Sequence, residues 1–314
     1  MSERVEIAVL APLREPVLAA LAERFTVHRV LERPDPLAAL RALSPRIRGA
    51  ASSGMFGLSR AQIEALPKLE ICALHGVGLE TTDLEMCRAR GIAVTIAPVL
   101  YDDVADLAIA LGLAACRRIA EGDRFVRNGR WGPERPKLGR KFTGLRAGIV
   151  GLGRIGGEVA RRLEGFKMEI GYADPLPRDV AYTRHADVVA LAGNSDILFL
   201  CAAGAPKGVG SPIVGREAIE ALGPRGIFVN VARGWLVDEA ALVDALASGR
   251  LGAAGLDVFD DEPLVPQALL SLNNVVLTPH VASSTEETFR DMGESVVNNL
   301  VSWFEGRGAL TPVP

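Results

Sequence analysis

Six short apolar runs recur through the second half of the chain, and helical stretches lie between most of them. The runs are Ala147–Val150, Met168–Tyr172, Ile197–Cys201, Ile227–Val231, Ala253–Asp257 and Val275–Leu277. Runs that are apolar at nearly every position are typical of strands buried on both faces. Because parallel strands are joined by crossover helices, this alternation predicts a parallel, doubly wound sheet.

The first hundred residues show the same alternation over shorter segments, so a second α/β domain is expected. The predicted strands are Val5–Leu10, Leu69–Leu74 and Ile92–Thr95, with helices at Pro16–Arg24 and from a capping-box spacing at Thr82–Glu85 to about Arg90. A longer helix is expected from Asp102 to Glu121, followed by a loop from Asn128 to Lys141. The last helix, Glu286–Phe304, has no strand beside it in the sequence and is expected to pack on the first domain. The predicted domains are residues 1–98 with 286–314, and residues 99–285.

Composition narrows the class of protein. The 314 residues are enough for two domains, and 49% hydrophobic residues suffice for two cores. The net charge of −3 is spread along the chain, so neither nucleic acid nor membrane is an expected partner. The four cysteines lack metal-ligand spacing, so no metal is expected. Met1–Val5 lacks a signal-peptide pattern, and a reducing, cytoplasmic location is expected.

A glycine-rich turn follows the first strand of the larger predicted sheet. It reads Gly151-Leu152-Gly153-Arg154-Ile155-Gly156 and leads into a helical pattern. In this setting Gly151 permits the tight turn, Gly153 lets a pyrophosphate approach the backbone, and Gly156 lets the helix pack on the sheet. The amides of Arg154 and Ile155 would lie at the positive end of the helix. The turn therefore predicts a dinucleotide site.

An acidic residue at the end of the next strand indicates which dinucleotide is bound. Asp174 lies eighteen residues after Gly156, where a carboxylate accepts hydrogen bonds from both ribose hydroxyls and repels a 2′-phosphate. This favours NAD over NADP. Arg178, four residues further on, leaves NADP open because it could reach a 2′-phosphate.

Three later segments each follow a predicted strand and each carry one residue suited to acid–base chemistry. They are Asn230–Gly234 with Arg233, Gly255–Pro263 with Glu262, and Thr278–His280 with His280. Considered singly, each of these residues is more often a surface or packing residue. Because loops at the carboxyl ends of parallel strands lie at one edge of a sheet, the three are expected to act together there.

These segments resemble the D-isomer-specific 2-hydroxyacid dehydrogenase family, and most closely its hydroxyphenylpyruvate, hydroxypyruvate and glyoxylate reductase branch. The resemblance covers nearly the whole chain, with further matching segments at Leu66–Glu70, Asp102–Ala108, Asn194–Leu198 and Leu310–Val313. It implies a Rossmann NAD-binding domain with a flavodoxin-like substrate domain. It also implies a homodimer, and hydride transfer from NAD(P)H to a small 2-oxo acid to give the D-2-hydroxy acid, or the reverse. Trp131 is a candidate for packing at a dimer interface, where aromatic residues are enriched, and equally for packing at the end of a helix.

The resemblance also implies the roles of individual residues. Arg233 would pair with the substrate carboxylate and polarise the ketone, His280 would be the acid–base group, and Glu262 would orient His280. Asp257 would accept a hydrogen bond from the nicotinamide carboxamide. The expected cofactor-binding residues are Val104, Gly151, Gly153, Arg154, Ile155, Gly156, Asp174, Ala202, Val231, Ala232, Arg233, Asp257, His280 and Ala282. The expected substrate-binding residues are Met55, Val77, Gly78, Arg233 and His280. His75 is a candidate pocket residue, whereas His28, in an early strand pattern, and His185, on a helical stretch, are expected to be structural.

Two features leave alternatives open. The segment Cys201–Gly208 departs from the Pro-Leu-Thr-like turn usual in the family, which removes a possible cofactor contact, and its glycines suggest a looser loop. A regulatory protein that senses NAD, like the C-terminal-binding-protein corepressors, would keep the same three residues. Within the enzymes, a formate dehydrogenase has Gln where Glu262 stands, and a 3-phosphoglycerate dehydrogenase often has an added regulatory domain.

Overall fold

The computed structural model describes residues 4–313. Residues 1–3, which form most of the segment examined for a signal peptide, and residue 314 lie outside the described residues. The chain divides into two units, one formed by Met1–Leu100 with Ser284–Pro314 and the other by Tyr101–Ser283.

The first unit is a five-stranded parallel sheet flanked by helices. Its strands are β1 (Glu6–Val9), β2 (Thr26–Arg29), β3 (Ile47–Ser53), β4 (Ile71–His75) and β5 (Ala93–Thr95), in the order β2-β1-β3-β4-β5. Its helices are α1 (Glu15–Arg24), α2 (Pro36–Leu43), α3 (Arg60–Ala65), α4 (Leu84–Ala89) and α12 (Glu286–Phe304). This strand order is that of flavodoxin-like sheets, as expected.

The last helix, α12, belongs to this first unit. It contacts strand β4 and helix α1. Gly293 on α12 lies so close to Val17 on α1 that an added Cβ would approach a Val17 methyl carbon within 2.4 Å. Val296 and Leu300, further along α12, are buried in the same core as Ile7 and Ile71. The helix thus covers one face of the first sheet with its apolar side.

The second unit contains a seven-stranded parallel sheet. Its strands are β6 (Arg146–Val150), β7 (Glu169–Ala173), β8 (Thr183–Arg184), β9 (Ile197–Leu200), β10 (Ile227–Asn230), β11 (Ala253–Leu256) and β12 (Val275–Leu277). The spatial order is β12-β11-β10-β9-β6-β7-β8, so the chain reverses direction across the sheet between β6 and β9. Ligands of such sheets bind outside the carboxyl ends of the strands at this switch point.

The helices of the second unit cover both faces of its sheet. They are α5 (Tyr101–Arg117), α6 (Ile119–Arg127), α7 (Arg154–Gly165), α8 (Val188–Gly193), α9 (Arg216–Leu222), α10 (Glu239–Ala247) and α11 (Gln267–Ser271). Every residue of β9, β10 and β11 is buried. Burial on both faces explains why these strands are continuous apolar runs in the sequence, and why they were predicted within one residue of their ends.

Three sequence-based predictions of local structure were wrong, and two strands were missed. The predicted helix Asp102–Glu121 breaks at Arg118, which adopts a left-handed conformation with φ of 55°, and α6 starts after it. Helix α4 is capped by Asp83, whose carboxylate accepts from the Met86 amide at 2.9 Å, and not by Thr82. Strands β3 and β8 were missed, because β3 is built from small residues and β8 is a two-residue edge strand. His185 lies just after β8 and not on a helix.

Candidate active site

The carboxyl ends of the strands of the second sheet bring the predicted residues of this unit to one edge. Because all its strands are parallel, the segments that follow β6, β7, β9, β10, β11 and β12 leave the sheet on the same side. These segments carry, in chain order, the glycine turn at Gly151–Gly156, Asp174, Ala202, Val231–Arg233, Asp257 and His280. The edge of the sheet at the switch point is therefore the candidate active site of this unit.

The glycine turn has the geometry that its sequence predicts. Gly151 has a φ of +86°, and a Cβ there would lie 2.5 Å from the Cα of Ala202. A Cβ on Gly156 would lie 2.1 Å from the carbonyl oxygen of Gly151. Neither position tolerates a side chain, because the atom in the way is backbone in both cases. The two glycines hold the start of α7 tightly against the strand it follows.

The middle glycine faces open space, as a phosphate site requires. No atom lies within 4 Å of the position that a Cβ on Gly153 would take. Gly153 is the N-cap of α7, and no side chain caps the first-turn amides, which include those of Arg154 and Ile155. Uncapped amides at the positive end of a helix, with open space before them, suit an anionic ligand. The residues present therefore fit the pyrophosphate of a dinucleotide.

Asp174 lies beside this turn, and its carboxylate is already engaged. Its two oxygens accept from the amides of Leu152 and Leu176 and from the guanidinium of Arg178, all at 3.0 Å. Burial raises the pKa of this carboxyl, but the Leu176 amide, Arg178 and the Leu152 amide outweigh it and hold the pKa below its ordinary value. Asp174 is therefore ionised at neutral pH and shares its charge with Arg178.

His280 and Glu262 form a hydrogen-bonded pair. The distance from Nδ1 of His280 to Oε2 of Glu262 is 2.6 Å, and the other oxygen of Glu262 accepts from the Phe259 amide at 3.0 Å. Burial raises the pKa of Glu262, but the hydrogen bonds from His280 and Phe259 and the charges of His280 and Arg233 hold it below its ordinary value. The carboxylate thus binds Nδ1 and leaves Nε2 of the imidazole to meet a ligand.

Arg233 is held in place through its own backbone. The buried side chain of Asn230 accepts from the Ala232 amide and donates to the Arg233 carbonyl, both at 3.0 Å. The guanidinium donates to the Ala232 carbonyl at 2.7 Å. Since the charge of Arg233 lowers the pKa of Glu262, the three predicted residues lie near one another at this edge. An arginine, an imidazole and its carboxylate in this arrangement can bind an anion and transfer a proton.

Asp257 supports the loop that carries His280. Its fully buried carboxylate accepts from the Thr278 hydroxyl at 2.6 Å and from the Val281 and Ala282 amides at 2.9 Å. These partners flank His280, which has a φ of +52°. Residues other than glycine rarely adopt this left-handed conformation, so the loop must be held from both sides. The contact of Asp257 with a nicotinamide stays a prediction.

The other predicted cofactor residues of this unit are apolar and mostly buried. Val104 lies on α5, Val231 and Ala232 follow β10, and Ala282 follows the His280 loop, and each is less than one tenth exposed. Ala202, after β9, packs against Gly151. Such residues can shape a binding surface but supply no charge.

The unusual segment after β9 is anchored at two points. The indole of Trp235 donates to the Ala205 carbonyl at 3.0 Å, and the ammonium of Lys207 donates to the Asp260 carbonyl. Both anchors belong to the segments that carry Arg233 and Glu262. Burial raises the pKa of Cys201, at the start of this segment, to about 12, so its thiol stays protonated at neutral pH.

The sequence did not reveal several residues that position these groups. Gly234 is one, because a Cβ there would lie 1.9 Å from the carbonyl carbon of Phe259. Glu239 is another, since its carboxylate accepts from the Asp260 amide at 3.0 Å. Asn230 belongs to a segment singled out in the sequence, but nothing there indicated that its side chain bonds the Ala232 amide and the Arg233 carbonyl. Each acts on a residue close in space, and only Asn230 has its partners close in sequence.

In the first unit, the predicted substrate residues lie at the carboxyl ends of β3 and β4. Met55 follows β3 and is 63% exposed, while Val77 and Gly78 follow β4. A Cβ on Gly54 would lie 3.0 Å from the Gly78 amide nitrogen, so the two loops pack backbone to backbone. Among the described residues, the amides of Val77 and Gly78 donate to no backbone carbonyl. They can therefore bind an anion.

His75, the last residue of β4, is half-buried next to this loop. Its ring packs on Phe289 of α12 with the centroids 5.2 Å apart, and its Nε2 lies 3.4 Å from the Phe289 carbonyl. Burial lowers the pKa of His75, which is therefore neutral at pH 7. His28, in β2, pairs with Glu6 at 2.6 Å.

Within residues 4–313, no group of three or more His, Cys, Asp or Glu side chains could hold a metal ion. No described helix has the length and apolar character needed to span a membrane.

Comparison with known proteins identifies the family. Residues 109–282 match the family model of the D-isomer specific 2-hydroxyacid dehydrogenase NAD-binding domain. The hydroxyphenylpyruvate reductase of Plectranthus scutellarioides is 45% identical, over 99% of each chain. The 2-hydroxyacid dehydrogenase of Ketogulonicigenium vulgare has a similar structure, with a TM-score of 0.93 at 46% identity over 99% of this chain and 98% of the other.

A third relative informs the choice of nucleotide. The NADPH-dependent glyoxylate/hydroxypyruvate reductase of Sinorhizobium meliloti, solved with NADP and malonate, has a TM-score of 0.91 at 41% identity, over 99% of this chain and 97% of the other. Together with the glycine turn and the paired His280 and Glu262, these similarities leave one assignment. The chain belongs to the D-isomer specific 2-hydroxyacid dehydrogenase family.

Proposed function

We propose that this protein reduces a small 2-oxo acid of the glyoxylate or hydroxypyruvate type to the D-2-hydroxy acid with NAD(P)H, and catalyses the reverse reaction. The observation that carries the proposal is the 2.6 Å contact of His280 with Glu262, near Arg233 and at the same sheet edge as the glycine turn. Family membership and the similarity to a glyoxylate/hydroxypyruvate reductase support it.

The side chains divide the work of the reaction among them. Bound nicotinamide supplies the hydride that reduces the substrate's C2 carbon. Arg233 binds the substrate carboxylate and polarises the C2 carbonyl. His280 donates the proton that the carbonyl oxygen gains. Glu262 holds the ring of His280 and stabilises its positive charge before the proton leaves.

Turnover tests the proposal directly. We expect purified protein to oxidise NADH when glyoxylate or hydroxypyruvate is added, followed by absorbance, and chiral analysis of a product with a stereocentre to give the D enantiomer. The alternative is a regulatory protein that binds NAD without turning it over. Tight NADH binding with no turnover of any 2-oxo acid would establish that alternative and exclude the enzyme.

For the nucleotide, we propose that NADH is preferred and NADPH is accepted more weakly. The ionised Asp174 beside the glycine turn supports NADH, because it would repel a 2′-phosphate. Arg178 opposes this repulsion, since it neutralises part of the same charge. The Sinorhizobium meliloti relative is NADPH-dependent, so the opposing effects of Asp174 and Arg178 on the preference for NADH over NADPH need to be measured.

Substitutions at this pair measure that balance. We expect Asp174→Ala to reduce the ratio of kcat/KM for NADH to that for NADPH by about tenfold, the size of one charge-assisted hydrogen bond. Arg178→Met should change the ratio in the opposite direction. Asp179→Ala, one residue further along the same loop, is the matched control. A native protein that prefers NADPH would overturn the proposal.

We also propose that the protein is a homodimer and is cytoplasmic. Four large apolar side chains are exposed on α6 and the loop after it, and we propose that they pack against a second copy of the chain. They are Ile119, Val126, Trp131 and Leu138, and we call them the 119–138 surface. The four free cysteines support a reducing compartment.

A further inference from the structure

The carboxyl edge of the first sheet carries a cation that the proposed reaction does not use. Arg14 follows β1 and is the N-cap of α1, and its side chain is exposed. Its guanidinium carbon lies 4.3 Å from the ring centroid of Phe289, and this ring packs on His75 at the end of β4. Because β1, β3 and β4 are parallel, Arg14 lies at the same edge as Met55 and the Val77–Gly78 amides.

The stacking fixes the position of the guanidinium. An arginine held over an aromatic ring loses much of the freedom that an exposed side chain keeps, while its outward N–H groups remain available. His75 also packs on Phe289, and its Nε2 contacts the Phe289 carbonyl, so the ring itself is held. The column Arg14–Phe289–His75 therefore presents a positive charge at the sheet edge that also carries the Val77–Gly78 loop.

The neighbouring charges do not neutralise Arg14. Glu15, its neighbour in sequence, accepts from Arg29 at 2.9 Å, and Asp291, near Phe289 on α12, is paired with Arg290. Among the described residues, no carboxylate forms an ion pair with Arg14. Since His75 is neutral at pH 7, Arg14 alone supplies the charge of this column.

We propose that Arg14 determines substrate specificity by binding a second, anionic group at the far end of the 2-oxo acid. The inference rests on the proposed function and names its substrate class: a 2-oxo acid that carries a distal carboxylate or phosphate. The C1 carboxylate meets the Val77–Gly78 amides, and the distal anion meets the guanidinium fork of Arg14. The exposed Met55 packs along the carbon chain between the two anionic ends.

Matched pairs of substrates test the proposal. The first pair is 2-oxoglutarate and 2-oxopentanoate, which have the same carbon chain with and without a distal carboxylate. The second pair is 3-phosphohydroxypyruvate and hydroxypyruvate. We expect kcat/KM to be at least about tenfold higher for an anionic member than for its neutral partner, as one charge-assisted hydrogen bond provides. A preference in either pair supports the proposal and identifies the distal group.

Variants then assign the preference to Arg14. Arg14→Met should lower kcat/KM for the preferred dianion by about 10- to 100-fold. The same variant should leave kcat/KM for glyoxylate within about twofold of the native value, because glyoxylate has no distal group and so loses no hydrogen bond. Arg14→Lys should restore part of the loss, since it keeps the charge without the planar fork. Arg24→Met, at the other end of α1, is the matched control for folding and net charge.

The outcomes separate this proposal from the proposed function. The role of Arg14 is overturned if glyoxylate is reduced but neither pair shows a preference for the anionic member. It is also overturned if Arg14→Met lowers kcat/KM equally for all substrates. In both cases the proposed reductase activity still stands. If no 2-oxo acid is reduced with NADH or NADPH, the proposed function fails, and the role of Arg14 fails with it.

Discussion

At the scale of single residues, the role of His280 as proton donor can be tested most directly. His280 has a φ of +52°, so replacement by alanine would remove the imidazole and also strain the loop. Asparagine tolerates the left-handed conformation better, and His280→Asn therefore isolates the loss of the ring. We expect kcat to fall by about 10²- to 10⁴-fold, the usual contribution of a general acid.

Binding separates catalysis from structure in this variant. The Kd for NADH, measured by fluorescence titration, should change little, because His280 bonds Glu262 and not the glycine turn. His185→Gln, at a histidine of the same unit that we assign no role in the reaction, is the matched control. Near-normal turnover by His280→Asn would show that another group donates the proton.

The sequence indicated the residues to which we assign chemical roles more completely than the residues that position them. Arg233, Glu262 and His280 each follow a strand end, and this pattern is visible in the sequence. Gly234 and Asp257 act on backbone groups that belong to other loops, so the need for these residue types appears only when the chain is folded. No sequence motif indicated a role for Arg14, because its neighbours in the column come from β4 and α12.

At the scale of elements, buried strands were predicted best and helix ends worst. The run Ile197–Cys201 differs from β9 by one residue because burial on both faces leaves a continuous apolar signal. Strand β3 was missed because Gly49, Ala50 and Ala51 are small. Gly49 must be small, since a Cβ there would lie 2.9 Å from an Ile7 side-chain carbon and 3.0 Å from the ring of Phe304. Because α12 packs closely on β3, this strand needs small residues and lacks the run of large apolar residues that would have indicated it.

The junction between the Arg233 and Glu262 segments gives a prediction at this scale. The backbone of Phe259 passes 1.9 Å from where a Cβ on Gly234 would lie, so Gly234→Ala must push the two segments apart. We expect a loss of about 1–3 kcal/mol in the free energy of unfolding, typical of overpacking. We also expect a fall in kcat/KM, because Phe259 holds Glu262.

Denaturant unfolding and steady-state kinetics measure the two effects of Gly234→Ala together. Gly193→Ala is the matched control, since Gly193 ends helix α8 and no atom lies within 4 Å of its Cβ position. Its stability should stay the same or rise slightly, as alanine favours the helix. A Gly234→Ala variant with unchanged stability and kcat/KM would mean that the segments tolerate separation.

At the scale of the whole molecule, function was easier to predict than substrate. The glycine turn and the three chemical residues specify a reaction on a 2-oxo or 2-hydroxy acid, because that chemistry needs the same groups whatever the side chain of the acid. In our proposal, the part of the substrate beyond C2 contacts Met55 and Arg14, which follow no motif. Substrate specificity therefore depends on how the segments that carry these residues fold and is not visible in a sequence motif.

Assembly is the remaining property at this scale, and the 119–138 surface makes it testable. Leu138 is 95% exposed and Trp131 is 72% exposed, which is costly for side chains that each contribute about 1.5–3 kcal/mol when buried. In a twofold dimer each side chain is buried twice, so two substitutions remove four contacts. We expect the native protein to be a dimer by light scattering and the Trp131→Arg, Leu138→Arg double variant to be a monomer. Leu270→Arg, at a similarly exposed leucine on α11, should remain a dimer. A native monomer would overturn the proposed dimer, and a double variant that still dimerises would show that the interface lies elsewhere.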